Sequence, residues 1–154
     1  ISDRGMGAQV RLLDSLGDDH LRALLTSAQV FVMPFAHESF GIAALEAMAF
    51  GLPVIGSEDG GVREFVRHAH NGFLVAGGDY AAVGRHLEML QADRVRLAAM
   101  GLAARQTFSA SPSWAQSMQR ACEFLEGVAG ARPDDPCVEK RADDRHELHS
   151  LPHR

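Results

Sequence analysis

The sequence is poor in the residues that mark several protein classes. Its two cysteines, Cys122 and Cys137, form no C-x-x-C pair, which argues against a disulfide frame and fits reduced thiols in a cytoplasm. The one lysine is Lys140, so the Gly-Lys-Ser/Thr ending of a P-loop cannot be formed. No apolar run approaches the roughly 20 residues that cross a bilayer, and no basic start followed by a short apolar stretch opens the chain. Neither a membrane span nor a standard secretory leader is expected. Lys and Arg total 15 against 20 Asp and Glu, a formal net charge of -5. No basic stripe is present for a phosphate backbone to lie along, which excludes nucleic acid as an expected partner.

What is there suits one globular domain of 154 residues, 46% hydrophobic and 23% charged. A chain of this length buries roughly 68–70% of its extended surface on folding, enough for a core without staples. Residues 10–13 read as a short buried strand and 18–27 as a helix with apolar spacing Leu21, Leu24, Leu25, Ala28. The pattern then repeats. Residues 30–33 form a continuous apolar run stopped by Pro34, followed by a helix over 41–50 that Gly51 closes. A third strand covers 53–56, after which Gly60 and Gly61 open a helix over 62–68. Asn71-Gly72 turns into a fourth strand at 73–75. Continuous rather than alternating apolar strands, each followed by a helix, predict an α/β fold with a Rossmann-like, doubly wound parallel sheet.

Residues 80–107 read as helical with a break near 91–93, and 114–128 as a last helix introduced by Ser111-Pro112-Ser113. Residues 130–154 hold eleven charged residues, three His and three Pro, too few apolar side chains to offset ordering entropy. The expected organisation is a domain over 1–129 and a disordered charged tail over 130–154.

In an open parallel sheet, ligands bind outside the carboxyl ends of the strands, which directs attention to the loops at 14–17, 36–40 and 57–61. Glu38 lies in the second loop and Glu46 eight positions on, in a helix with one charged residue in ten. Such a helix reads as an inner one, and a carboxylate buried there wants a cation, backbone N–H groups or ligand hydroxyls. A ribose diol meets that need. The same helix starts at Ser39-Phe40-Gly41, a first turn without a bulky side chain, whose N–H groups suit a phosphate. A plainer reading fits the spacing equally: Glu46 as a rim charge facing water, Gly41 as a tight helix start and Gly60-Gly61 as a simple turn.

The stretch from residue 30 to 61, VFVMPFAHESFGIAALEAMAFGLPVIGSEDGG, resembles the carboxyl-terminal, donor-binding domain of the family 4 retaining glycosyltransferases, which have the two-domain GT-B architecture. The resemblance rests on the strand ending in Pro34, the E-x7-E pair Glu38 and Glu46 with Phe40-Gly41 between them, the run Glu46-Ala47-Met48-Ala49, Gly51-Leu52-Pro53-Val54, and Gly60-Gly61 with Glu64 three on. It extends over roughly residues 5 to 129.

The resemblance implies transfer of a hexose from a UDP- or GDP-sugar to an unnamed sugar, lipid or small-molecule acceptor, with retention and without a metal or other cofactor. Glu46 corresponds to the glutamate that holds the ribose hydroxyls. Glu38 corresponds to the one beside the transferred sugar, the candidate catalytic residue, which stabilises positive charge at the anomeric carbon. Backbone N–H groups around Ser39, Phe40, Gly41 and Ile42 then meet the sugar and diphosphate, with Gly60 and Gly61 beside them. Leu13, Asp14 and Ser15 correspond to the region that receives the base. One departure is Arg63 before Glu64, where the family usually has Pro.

The resemblance also implies parts that have no counterpart in the sequence: a strand and glycine-rich turn bearing an Arg and a Lys for the diphosphate, and an amino-terminal acceptor domain. The chain by itself is therefore expected to bind donor weakly and turn over little. Its expected place is the cytoplasm, with peripheral attachment to a membrane left open. The alternative is a non-catalytic nucleotide-binding half-domain.

Other chemistries fit less well. A dinucleotide fingerprint fails because Gly5-Met6-Gly7 is followed at the required place by Val10. A hydrolase elbow fails because Ser57 stands one place early in Gly56-Ser57-Glu58-Asp59-Gly60. For a metal, His68 and His70 offer two ligands and His146, His149 and His153 others from the tail, but they read as solvated histidines.

Overall fold

The computed structural model describes residues 5–35 and 39–129. The charged tail expected at 130–154 lies outside the described residues, as do Cys137 and His146, His149 and His153. The chain divides into two compact units, one ending at Ser111 and one beginning at Pro112.

The first unit carries helix α1 (Asp18–Ser27), strand β1 (Phe31–Met33), helix α2 (Ile42–Ala49), strand β2 (Val54–Ser57), a 3₁₀ turn (Gly61–Glu64), strand β3 (Gly72–Val75), and helices α3 (Tyr80–Ala92) and α4 (Arg94–Ala110). The strands form one parallel sheet in the order β1-β2-β3. Ile55 is paired with Val32 on one side and Phe73 on the other.

Both faces of this sheet are covered, and that is why its strands read as unbroken apolar runs. On one face Ile55, Phe73 and Val75 pack with Ala82, Val83 and Leu90 of α3 and Leu97 and Met100 of α4. On the other, Met33 and Val54 pack with Ala44 and Met48 of α2, Val62, Val66 and Ala104 of α4. Phe73, Met48, Ile55 and Leu90 are each less than 2% exposed, a burial that stabilises by about 1.5–3 kcal/mol per side chain. The α/β, Rossmann-like parallel architecture expected from the sequence is thus observed.

The expected break at 91–93 is a change of helix. Asp93 stands between α3 and α4, and its carboxylate accepts the Arg96 N–H at 2.9 Å, as the Asp79 carboxylate accepts the Ala82 N–H at the start of α3. These caps satisfy donors that a helix start leaves unpaired.

Two expected elements differ. Residues 10–13 form no strand, and Leu12 and Leu13 are 84% and 51% exposed. A strand needs a hydrogen-bonded neighbour as well as apolar letters, and β1 pairs only with β2 among the described residues. The helix expected at 62–68 is reduced to the 3₁₀ turn Gly61–Glu64. Beyond it the Arg67 N–H donates at 2.6 Å to the Asn71 side-chain oxygen. A side chain that takes a main-chain donor in this way competes with helix propagation.

The second unit contributes helix α5 (Trp114–Ala129). Its start is a reciprocal cap: the Ser113 Oγ accepts from the Gln116 N–H at 3.2 Å, and the Gln116 side-chain Oε1 accepts from the Ser113 N–H at 2.9 Å. Trp114, Phe124, Leu125 and Val128 are exposed along it.

Candidate functional site

Parallel pairing brings the carboxyl ends of β1 and β2 side by side, so the segment entering α2 and the segment following β2 leave the sheet as neighbours. Their approach is closer than any side chain would allow. A Cβ on Gly61 would stand 2.5 Å from the Phe40 Cα and would also overlap the Ser39 carbonyl, so only glycine permits this contact. Gly41 has φ of 88°, the left-handed region, and a Cβ there would collide with Val62. Gly41 is thus required twice over, by its backbone conformation and by its neighbour.

Because Gly41 offers no side-chain cap to α2, the Ile42 and Ala43 N–H groups have no acceptor among the described residues. The Gly41 carbonyl takes the Ala44 and Leu45 N–H groups at 3.0 and 3.1 Å. A helix start of this kind presents donors and a partial positive charge to an anion.

The turn after β2 is fastened on both sides. The buried Ser57 Oγ accepts the Asp59 N–H at 3.2 Å, the Ser57 carbonyl accepts the Gly60 N–H at 3.3 Å, and the Glu58 N–H donates to the Val75 carbonyl at 2.9 Å. Phe65 then packs on Phe40, with ring centroids 5.8 Å apart and planes at 53°.

Of the residues singled out in the sequence, Ser39, Phe40, Gly41, Ile42, Gly60 and Gly61 are therefore gathered at one edge of the sheet. Glu38 lies outside the described residues. Glu46 is exposed, four positions from Ile42, itself 64% exposed, on the outward face of α2. The inner-helix expectation is corrected accordingly: Ala44, Ala47 and Met48 are buried, whereas Ile42, Ala43 and Glu46 face outward, as the 3.6-residue period requires of a helix covering one sheet face. A carboxylate so placed is solvated and open to a ligand. Leu13, Asp14 and Ser15 are exposed and make no hydrogen bond to this edge among the described residues. Leu13 instead lines a shallow groove of about 450 Å³ with Leu16, His20 and Leu24.

Two contributors escaped the sequence reading. Phe65 was a letter in an expected helix, and Asn71 half of a turn. Asn71 is fully buried and binds the Phe65 carbonyl. A fully buried Asn after a short apolar segment is a signal only once burial is known.

A separate cluster lies about Phe73. His86 stacks on its ring at 4.0 Å, His68 meets it edge-on at 5.5 Å and the Arg96 guanidinium stands 5.6 Å from its centre. His68 Nδ1 accepts the Leu74 N–H at 3.2 Å. His86 Nδ1 is buried without a hydrogen-bond partner. Desolvation, then the charges of His68, Arg85 and Arg96, holds the His86 pKa below its ordinary 6.5. No three potential metal-ligating side chains gather among the described residues, and no described helix is long and apolar enough to cross a membrane.

Comparison with known proteins fits this geometry. The family model for glycosyl transferases group 1 matches residues 1–107. The chain is 40% identical over 97 residues to a D-inositol 3-phosphate glycosyltransferase of Streptomyces bingchenggensis, covering 63% of this chain and 21% of that one. It is 34% identical over 137 residues to a GDP-mannose-dependent alpha-(1-6)-phosphatidylinositol monomannoside mannosyltransferase of Mycobacterium tuberculosis, covering 84% and 36%. The chain thus spans about a fifth to a third of the length of these relatives. Among solved structures, the sucrose-phosphate synthase of Thermosynechococcus elongatus superimposes with a TM-score of 0.75 at 28% identity, over 84% of this chain and 33% of that one. With the family model matched over more than half its length, on a parallel sheet whose glycine-lined edge opens at α2, the chain belongs to the group 1 glycosyltransferases.

Proposed function

We propose that this chain supplies part of the donor site of a retaining, family 4 glycosyltransferase that moves a hexose from a UDP- or GDP-sugar to an acceptor hydroxyl, in the cytoplasm. In this reading Glu46 receives the ribose hydroxyls, and the Ile42 and Ala43 N–H groups with the positive end of α2 receive the diphosphate. As the bond from the anomeric carbon to the diphosphate lengthens, those donors take up negative charge on the leaving oxygen. Glu38 faces the positive charge that develops on the sugar. Leu13, Asp14 and Ser15 take the base, a further strand and glycine-rich turn of the donor domain supply the basic groups for the diphosphate, and an amino-terminal domain supplies the acceptor side.

The observation that carries the proposal is the junction of Ser39-Phe40-Gly41 with Gly61. It sets a glycine rather than a polar cap at the start of α2, with an exposed carboxylate one turn along the outward face of the helix. That a relative of this chain is named for GDP-mannose supports a nucleoside diphosphate sugar as donor. The test is calorimetric titration of the chain with UDP and GDP, alongside Glu46→Ala. Saturable binding of one nucleotide, lost in the variant, is expected. Absence of binding by a folded chain overturns the reading.

A further inference from the structure

The start of α2 is held from behind by Phe65. Its ring lies 5.8 Å from that of Phe40, and its Cζ would be 3.5 Å from a Cβ on Gly41. Phe65 follows the short 3₁₀ turn, and its main chain is secured by a side chain six residues on. The Asn71 amide donates one hydrogen to the Phe65 carbonyl at 2.9 Å and the other to Thr107 Oγ1 at 2.9 Å, while its oxygen accepts the Arg67 N–H at 2.6 Å. The Thr107 hydroxyl in turn donates to the Ala103 carbonyl within α4 at 2.9 Å. Both amide hydrogens and the amide oxygen are used, so the orientation of Asn71 is uniquely determined. Two partners accept and one donates, so a rotated amide would set oxygen against oxygen.

We propose that Asn71 and Thr107 are positioning residues for the donor site, acting on the Phe40–Ile42 backbone through Phe65. This rests on the donor-site reading above. The chain of contacts runs from α4 through Thr107 and Asn71 to Phe65, and from there to the segment whose N–H groups meet the diphosphate. The donor-site reading assigns none of the three a ligand contact. Asn71 is 0% exposed, and leaving its partners unsatisfied carries a penalty that the loop relieves by moving.

The experiment uses the full chain, labelled with nitrogen-15, and four variants: Asn71→Asp, Thr107→Val, Thr107→Ser and, as a control in the other core, Leu90→Ala. Asn71→Asp removes two donors, Thr107→Val one acceptor, and Thr107→Ser keeps the hydroxyl. Each is measured below its melting transition for the amide signals of Phe40, Gly41 and Ile42 and for UDP and GDP affinity. Displaced signals are expected in Asn71→Asp and Thr107→Val, with nucleotide binding about tenfold weaker, since ångström-scale misplacement of contacting groups costs up to about 10²-fold. Thr107→Ser restores both, and Leu90→Ala lowers the melting temperature while changing neither. Signals that stay in place in both Thr107→Val and Asn71→Asp overturn the proposal. Displaced signals with wild-type affinity overturn its functional half. A wild-type chain that binds neither UDP nor GDP overturns the donor reading instead, and the amide signals still decide the relay.

Discussion

The Gly61 backbone lies directly on that of Phe40, so close that a Cβ on Gly61 would fall 2.5 Å from the Phe40 Cα. Neither atom can retreat cheaply, because the contact is between main chains rather than with the end of a flexible side chain. Gly61→Ala is expected to destabilise the chain by about 1–3 kcal/mol, the usual cost of overpacking, and to weaken UDP or GDP binding by shifting Ser39 and Phe40. Urea denaturation and calorimetric titration check the two effects separately. Wild-type stability in the variant would show that the junction yields.

Glu46 faces outward on α2, and its own burial contributes nothing to the core. Glu46→Ala is expected to leave the unfolding midpoint within about 0.5 kcal/mol of wild type, as for other exposed positions. Nucleotide binding should weaken by about 1.5–3 kcal/mol, the range for hydrogen bonds to a charged group. UDP and the 2′,3′-dideoxy form of the same nucleotide distinguish the cause. The variant should bind both alike, whereas wild type should prefer the one with hydroxyls.

His86 gives the first unit a pH dependence of definite sign. Burial first, and then the charges of His68, Arg85 and Arg96, lower its pKa in the folded chain, so between that value and 6.5 the unfolded chain binds the extra proton. Stability is fully present above pH 6.5 and falls as the pH drops below it. Urea midpoints at pH 7.5 and at steps below 6.5 should trace this loss. His86→Leu should flatten it, and an equal slope in the variant would assign the loss to other groups.

Leu90 is 1% exposed in the core between β3, α3 and α4. Leu90→Ala is expected to cost about 2–5 kcal/mol through lost burial and the cavity left behind. Met48→Ala, on the other face of the sheet beside α2, should cost a similar amount and in addition disturb nucleotide binding. Chemical denaturation compared with titration at a temperature where both variants are folded checks the contrast.

Much of this was legible in the sequence, and the reasons are local. The runs at 30–33 and 53–56 announced parallel strands because a strand covered on both faces has no solvent side to alternate with. The break expected near 91–93 coincides with Asp93, whose carboxylate serves a helix start better than a helix interior. The pairing of Gly41 with a conformation at φ 88° was implicit in a glycine ahead of a helix that lacks a polar cap.

Other readings needed the third dimension. The apolar letters at 10–13 are the same whether or not a neighbour is present to pair with, and only the sheet decides that β1 has a single partner among the described residues. The stretch at 62–68 has helical spacing, yet Asn71 takes the Arg67 N–H and gives a hydrogen to the Phe65 carbonyl, while its other amide hydrogen is held by Thr107 of α4. The outward placement of Glu46 likewise depends on which side of α2 the sheet covers.

The amino-acid sequence by itself therefore determined the α/β class and the parallel strands, which follow from period and glycine placement, and carried in one run of specific residues the resemblance to the glycosyltransferases. Tertiary structure decided which glycines touch which backbone, which face of α2 is open, and how Thr107 reaches Phe65 through Asn71. Those are contacts between segments distant along the chain, fixed by close packing rather than by local preference.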